Sequence, residues 1–264
     1  MRIAHLSDTH IQAANPNAKS RIDDLARAVD SINGLSVPPD VVLHSGDIAH
    51  DATPEDYAAA RAELMRLKAP LYTTIGNRDR RNPYFEAFVG DGYLDPGFGF
   101  AQYAVDLDAI YLVAVDTQYR DTEKGGLGGF CPARAENLDA LLAAANGKPT
   151  LVFAHHPPVE LADSPKLQFR EAPEAALLCE CLQRHDALVA LLAGHVHRTH
   201  VVPFGDVTLS TIPSIAADLS REKATGGEVG ETHTRRPIYQ IHTWAKGKLI
   251  TSAVTLERSG RVPA

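Results

Sequence analysis

Short apolar runs alternate along this chain with longer stretches whose apolar positions recur at helical spacing. Residues 2–6, "RIAHL", form the first run and read as a strand. In "RIDDLARAVDSINGL" (21–35), Ile22, Leu25, Ala26, Val29 and Ile32 repeat at the period of a helix with one apolar face. "DVVLHSGD" (40–47) is a second short strand, closing on Gly46-Asp47. "TPEDYAAARAELMRL" (53–67) begins as a capped helix, with Thr53 as N-cap, Pro54 first and acids in the opening turn. "PLYTTIGNRD" (70–79) supplies a third strand. Strand, loop and helix in this order predict a largely parallel sheet joined by crossover helices.

Further on, "FAQYAVDL" (100–107) and "AIYLVAVDT" (109–117) read as a hairpin turning at Asp108. "CPARAENLDALLAAA" (131–145) and "APEAALLCECLQRH" (172–185) carry helical periods, while "PTLVFAHHPP" (149–158) and "ALVALLAGHVH" (187–197) are strands closing on histidines. Residues 199–212 and 237–256 each read as strand, turn, strand. The glycine-rich "GGLGGF" (125–130) is expected to be a mobile loop rather than a phosphate cradle, because no Lys-Ser/Thr follows it. Residues 218–236 are polar, contain three glycines and lack an apolar period; they are expected to form an exposed loop, either a lid or a subunit contact. Residues 257–264 are expected to fray. With no internal repeat and no separating linker, residues 1–264 read as one domain of two sheets packed face to face with helices outside.

Composition narrows the partners. The net charge of −7 argues against a nucleic-acid polymer, since phosphate backbones reward clustered Lys and Arg. A small anionic substrate fits if a bound cation supplies the missing positive charge. The N-terminal "MRIAHLSDTH" has no basic segment leading into an apolar core, so no signal peptide is expected. No apolar run approaches the ~18 residues of a membrane span. The three cysteines, Cys131, Cys179 and Cys181, are odd in number and suggest inert reduced thiols in the cytoplasm. Cys179 and Cys181 lie two apart on a helix, point to different faces and make a poor chelate.

The candidate chemistry lies where strands end. The terminating residues are Asp8-x-His10, Gly46-Asp47, Gly76-Asn77-Arg78-Asp79, His155-His156-Pro157 and Gly194-His195-Val196-His197. Gly-Asp and Gly-Asn are ordinary turn dipeptides by themselves, while Gly-His-x-His is more specific for metal. Functional groups in α/β sheets gather beyond the carboxyl ends of strands, so Asp8, His10, Asp47, Asn77, His155, His195 and His197 are expected around one point. Oxygen and imidazole donors without thiolate suit Mn, Fe, Zn or Co. Seven donors exceed the needs of one ion and suit two ions sharing a carboxylate. The glycines at 46, 76 and 194 are expected to permit tight turns. His5 and His44, inside apolar strands, are expected to be core residues or supports for ligating groups.

This ordered set resembles the calcineurin-like metallophosphoesterase superfamily. "RIAHLSDTH", "GNRDRR", "HHPP" and "GHVHR" look most like its bacterial cyclic-nucleotide (class III) phosphodiesterase and glycerophosphodiesterase branch, over residues 2 to about 215. The resemblance implies a four-layer α/β/β/α sandwich of two mixed sheets flanked by helices. It implies one ion held by Asp8, His10, Asp47 and His197, another by Asp47, Asn77, His155 and His195, and a bridging Asp47. The implied reaction is hydrolysis of a small phosphodiester, with hydroxide generated at the ions attacking phosphorus in line. It also implies a possible homodimer.

One position departs from the family pattern. Arg78 stands where the family usually carries a histidine that contacts phosphate and can protonate the leaving group. Arginine cannot donate a proton at neutral pH, but two of its N–H groups can hold a phosphate oxygen. Protonation would then fall to water or to another side chain, with His156 and His200 as candidates. Asp79 is expected to orient the Asn77 loop; Arg80 and Arg81 are candidates for contacting an anionic substrate. The alternatives are a phosphomonoesterase or nucleotide-lipid pyrophosphatase of the same fold, and a phosphate-binding module that has lost turnover.

Overall fold

The computed structural model describes residues 1–119, 126–162, 164, 166–223 and 235–257. Most of the expected loop at 218–236, nearly all of the expected frayed tail and Gly125 of the glycine-rich run lie outside the described residues.

β1 (Arg2–Leu6), β2 (Val41–His44) and β3 (Leu71–Thr73) are parallel neighbours, connected through α1 (Lys19–Asn33) and α2 (Pro54–Leu64). Thr53 caps α2 as its sequence predicts. Its side chain accepts from the Asp56 amide while Asp56 reaches back to the Thr53 amide, and Pro54 follows. A third helix, α3 (Arg81–Phe88), follows the Asn77 loop directly, a helix the apolar pattern did not predict. The hairpin β10 (Ile238–Ala245) and β11 (Lys248–Thr255) pairs antiparallel to β1, giving the order β11-β10-β1-β2-β3.

The second sheet has six strands. The hairpin at Asp108 joins β4 (Tyr103–Asp106) to β5 (Tyr111–Val115); β6 (Thr150–Ala154), β7 (Leu188–Ala193), β8 (Val201–Phe204) and β9 (Val207–Thr211) complete the order β4-β5-β6-β7-β9-β8. The central pairs β5-β6, β6-β7 and β7-β9 are parallel; the outer pairs are antiparallel. Both sheets are therefore mixed, as the resemblance implies, with the parallel part of the first sheet supplied by β1, β2 and β3.

Side-chain alternation explains the layering. Leu112 and Ala114 of β5, Leu151 and Phe153 of β6, and Ala190 and Leu192 of β7 share one core with Ile3, Leu6 and Leu43 of the first sheet and with α1 and α2. Val113, Val115, Val152, Ala154 and Leu191 face the other way, onto Leu138 and Leu142 of α4 (Pro132–Ala144) and Leu178 and Leu182 of α5 (Ala172–Gln183). Each fully buried Leu, Ile or Phe contributes roughly 1.5–3 kcal/mol. That burial anchors the strands whose ends carry the polar residues. Among the described residues, no helix is long and apolar enough to cross a membrane. All three cysteines are free; Cys181 is buried, while Cys131 and Cys179 are half-buried.

Candidate metal centre

The carboxyl ends of β1, β2, β6 and β7 meet at one edge of the two sheets. Backbone bonds tie them together. The amide of Gly194 donates to the carbonyl of His155 at 3.1 Å, and that of Asp8 to Gly46 at 3.0 Å. Around the junction lie two donor groups. In one, Nε2 of His197 is 3.1 Å from Oδ1 of Asp8 and 3.2 Å from Nε2 of His10. In the other, Oδ1 of Asn77 lies 3.1 Å from Nε2 of His155 and 3.0 Å from Nδ1 of His195. Asp47 faces both groups, its Oδ2 being 3.5 Å from Nε2 of His10 and 3.5 Å from Nε2 of His155. All seven residues expected from the strand ends therefore converge.

The backbone there is strained. Five of these residues are in the left-handed region: Asp8 at φ 55°, His10 at 45°, Asp47 at 54°, His195 at 68° and His197 at 56°. Side chains other than glycine rarely adopt this conformation, and it persists at functional sites where the surroundings enforce it. The expectation that glycines supply the tight turns holds at Gly46, at φ 92°. Gly76 and Gly194 act differently, through close approach. A Cβ on Gly194 would lie 2.1 Å from Oγ of Ser7 and 2.7 Å from Oδ2 of Asp8.

Hydrogen bonds outside the pocket fix which nitrogens face in. Nδ1–H of His155 donates to the Ser45 carbonyl at 2.7 Å, and Nδ1–H of His197 to the Leu219 carbonyl at 2.9 Å. Their Nε2 lone pairs then point at carboxylate and amide oxygens. Asp8 accepts from Oγ of Ser7 and the amide of His195 through Oδ2, while its buried Oδ1 has no hydrogen-bond partner. Lone pairs facing lone pairs, with an orphaned carboxylate oxygen, are unfavourable until a cation sits among them. The residues present therefore fit divalent metal ions. Asp8, His10 and His197, and likewise Asp8, Asp47 and His155, bring their ligand atoms within 4.8 Å of one another.

The pocket's electrostatics agree. Burial opposes ionising Asp8, yet His197 and His10 outweigh it and hold the carboxyl well below its usual range. Asp47 is lowered likewise, against burial, by His155 and His10. Burial disfavours charge on His155 too, but Asp47 and Asp8 push its pKa up to about 9. The carboxylates thus stay ionised in spite of burial, as an anionic pocket suited to cations should, and a bound metal ion would take the place of any proton they draw onto Nε2 of His155.

The other expected residues take different parts. His156 is fully buried against the donors and brings a ring nitrogen within 4.8 Å of ligand atoms of His155 and His195; its Nδ1 is 2.9 Å from Oγ1 of Thr117 and its ring lies against both histidines. Burial, then His195, holds its pKa well below 6.5. His200 is half-buried, and its amide donates to Oγ1 of Thr211. Arg78 is exposed. Arg80 and Arg81 both make contacts within the fold. Arg80 donates to the carbonyls of Asn77 and Asp79, and buried Arg81 makes a two-pronged pair with Asp116 at 2.9 and 3.0 Å. Asp79 accepts from the amides of Gly76 and Ala49, tying the second and third loops together. Gln118 braces the same loop, donating to the carbonyls of Gly76 and Asp79. His44 accepts from the Gly46 amide, and its Nε2 meets Oγ1 of Thr9. Nδ1 of His50 lies 3.3 Å from Nδ1 of His10. No motif in the sequence marked Gln118 or His50.

The fold and this set of strand-end donors define a metal-dependent phosphoesterase. The sequence profile of the calcineurin-like phosphoesterases matches residues 1–199, and the chain belongs to that family. It is 33% identical to the glycerophosphodiester phosphodiesterase GpdQ of Enterobacter lignolyticus, over 81% of this chain and 77% of that protein. A probable cyclic nucleotide phosphodiesterase of Rhodopseudomonas palustris is 30% identical over 75% of this chain and 72% of its own length. A dimetal phosphatase of Danio rerio has the same fold, with a TM-score of 0.74 at 15% identity, covering 96% of this chain and 95% of that one.

Proposed function

We propose that the protein is a dinuclear metal-dependent phosphodiesterase acting on small phosphodiesters of the glycerophosphodiester or cyclic-nucleotide type. The observation that carries this reading is the position of Asp47, whose Oδ2 stands 3.5 Å from both His10 and His155, each at the head of its own donor group. Asp8, His10, Asp47 and His197 would hold one ion; Asp47, Asn77, His155 and His195 would hold the other; Mn, Fe, Zn or Co suit these donors. Bound there, two cations supply Lewis-acid activation of water and neutralise charge gathering on the phosphoryl oxygens. The activities named for the two relatives favour a diester over a monoester. Donors come from both sheets, so the described residues would work as one domain. Three free thiols suit a reducing cytoplasm.

The chain's own part is positioning and charge. Arg78 is exposed beside His50, whose pKa is lowered to about 4 by burial and then by Arg78. From there its guanidinium would hold a phosphate oxygen through paired N–H groups. Buried His156 presents no atom to an incoming substrate, which leaves solvent water or half-buried His200 to protonate the leaving alkoxide.

Purified protein loaded with Mn²⁺ and tested on bis(p-nitrophenyl) phosphate, p-nitrophenyl phosphate, a glycerophosphodiester and a cyclic nucleotide, with metal content measured on the same sample, checks the reading. Preferential diester cleavage with two ions per chain is expected, and Asp47→Ala should lose both ions and activity. Faster monoester cleavage would make the protein a phosphatase; full metal loading without turnover would make it a binding module.

A further inference from the structure

The two loops that lie over His156 and His195 have no assigned role. Residues Gly128–Phe130 close the glycine-rich run, and residues 166–170 precede α5. The Gly128 amide donates to the Gln168 carbonyl at 2.8 Å, and the Arg170 amide donates to the Gly128 carbonyl at 3.0 Å. Gly128 also forms a parallel bridge with Phe169. This pairing brings Gly128 onto the ring of His156; a Cβ there would lie 2.7 Å from Cγ of that histidine. Only glycine lets the strap sit so close.

The strap delivers one side chain to the metal centre. Oε1 of Gln168 lies 3.1 Å from Nε2 of His195. The carboxamide cannot turn over without loss, because its NH₂ group already donates to Oγ of Ser164 at 2.9 Å and to the Lys166 carbonyl at 2.5 Å. Its oxygen therefore faces His195, and His195 must carry its proton on Nε2. The lone pair is left on Nδ1, the nitrogen 3.0 Å from Oδ1 of Asn77. His155 and His197 have the opposite arrangement, with Nδ1 protonated on backbone carbonyls and Nε2 facing in. A neutral imidazole free in water prefers no arrangement strongly enough to guarantee this inversion at one ligand.

We propose that Gln168 is a positioning residue that fixes the tautomer and ring orientation of His195, presenting Nδ1 to the ion shared with Asp47, Asn77 and His155. It rests on the metal-centre reading above. Partners of this kind raise ligand basicity, and their loss weakens metal binding on the order of 10- to 100-fold.

The test is titration of metal-free protein with Co²⁺, followed by absorbance, alongside ¹⁵N spectra of the imidazoles, which distinguish protonated from unprotonated nitrogens. In the wild type, two ions should bind, and His195 should be protonated on Nε2 before metal is added. Gln168→Leu should weaken one of the two binding steps on the order of 10- to 100-fold, leave the other unchanged, and let His195 populate both tautomers. Gln168→Glu, which keeps an acceptor, should restore tight binding and the Nε2–H form. Wild-type affinity for both ions in Gln168→Leu, or a His195 protonated on Nδ1 in the wild type, would overturn the inference alone. Failure of the wild type to bind any Co²⁺ would overturn the metal-centre reading and this inference with it.

Discussion

The backbone amide of Arg78 donates to Oδ1 of Asp47 at 2.6 Å. Residue 78 therefore supports the central carboxylate through its main chain, whatever its side chain, and the guanidinium is free to face solvent at the rim. Backbone and side chain can be separated by mutation. Arg78→Ala should retain its metal content but lose about 10- to 100-fold in kcat/KM, the worth of a charge-assisted bond to phosphate. Unchanged kcat/KM would show that Arg78 does not touch the phosphate. Arg78→His would restore a group able to donate a proton. It should favour substrates with alkoxide leaving groups over p-nitrophenolate, which needs no acid; kcat ratios for the two leaving groups in both proteins are the measurement.

The same carboxylate also depends on the bareness of Gly76. A Cβ at that position would meet both the amide nitrogen and Oδ1 of Asp47 at 2.3 Å. Relief requires backbone movement, since one of these atoms is main chain and the other is held by the Arg78 amide. Gly76→Ala is expected to destabilise the fold by about 1–3 kcal/mol, the range for overpacked interiors, and to lower metal content. Urea denaturation and elemental analysis report the two effects; wild-type values for both would mean that the loop has slack the geometry does not suggest.

Arg81 makes its pair with Asp116 behind the Asn77 loop. Asp116 is wholly buried and also accepts from the amides of Ala101 and Gln118. Burial opposes its ionisation, but Arg81 and Arg134 outweigh burial and lower its pKa. Arg81→Met would leave a buried carboxylate whose counter-charge among the described residues is Arg134, at 3.5 Å. Breaking one side of such a pair costs about 3–5 kcal/mol, and Arg134 should hold the loss near the lower end. The double variant Arg81→Met, Asp116→Asn should regain part of it in a denaturation series. A single variant as stable as wild type would show the pair to be energetically idle.

The donors were legible in the sequence because each follows an apolar run that had to be a buried strand. The strand fixes the direction of the chain, and its carboxyl end fixes where Asp8, Asp47, Asn77, His155 and His195 emerge. The partners of those donors were not legible. Ser45 and Leu219 act through carbonyls that any residue would supply. Gln118 and His50 reach the site from loops whose path depends on tertiary packing. Arg81 looked like a substrate contact because a run of arginines beside a catalytic motif reads as exposed charge. Its burial follows from α3, whose Tyr84, Phe85 and Phe88 are buried and carry Arg81 inward with them. The mixed character of the first sheet followed from the family resemblance and not from the apolar pattern of the first eighty residues. It comes from β10 and β11, which return from nearly two hundred residues downstream of β2 to pair beside β1.

Acid stability should be governed in part by histidines outside the metal centre. His242 is wholly buried, with Nδ1 2.8 Å from Oγ1 of Thr251 and Nε2 3.3 Å from Nδ1 of His5, whose Nε2 in turn meets Oγ of Ser45 at 2.9 Å. Burial lowers the pKa of His242 to about 4; His5 is lowered well below 6.5 by burial and then by His242. The unfolded chain, with histidine near 6.5, therefore binds protons that the folded chain refuses as pH falls from about 6.5. Stability must rise with pH across that window and level off above it. For His242 alone the loss by pH 4 is roughly 3 kcal/mol, taking 1.36 kcal/mol for each pKa unit. His242→Gln keeps a polar partner for Thr251 or His5 but cannot titrate. Urea midpoints measured from pH 7.5 down to pH 4.5 should fall less steeply in this variant than in wild type, even if the variant is weaker at neutral pH. Parallel curves would show that His242 is already protonated in the folded protein.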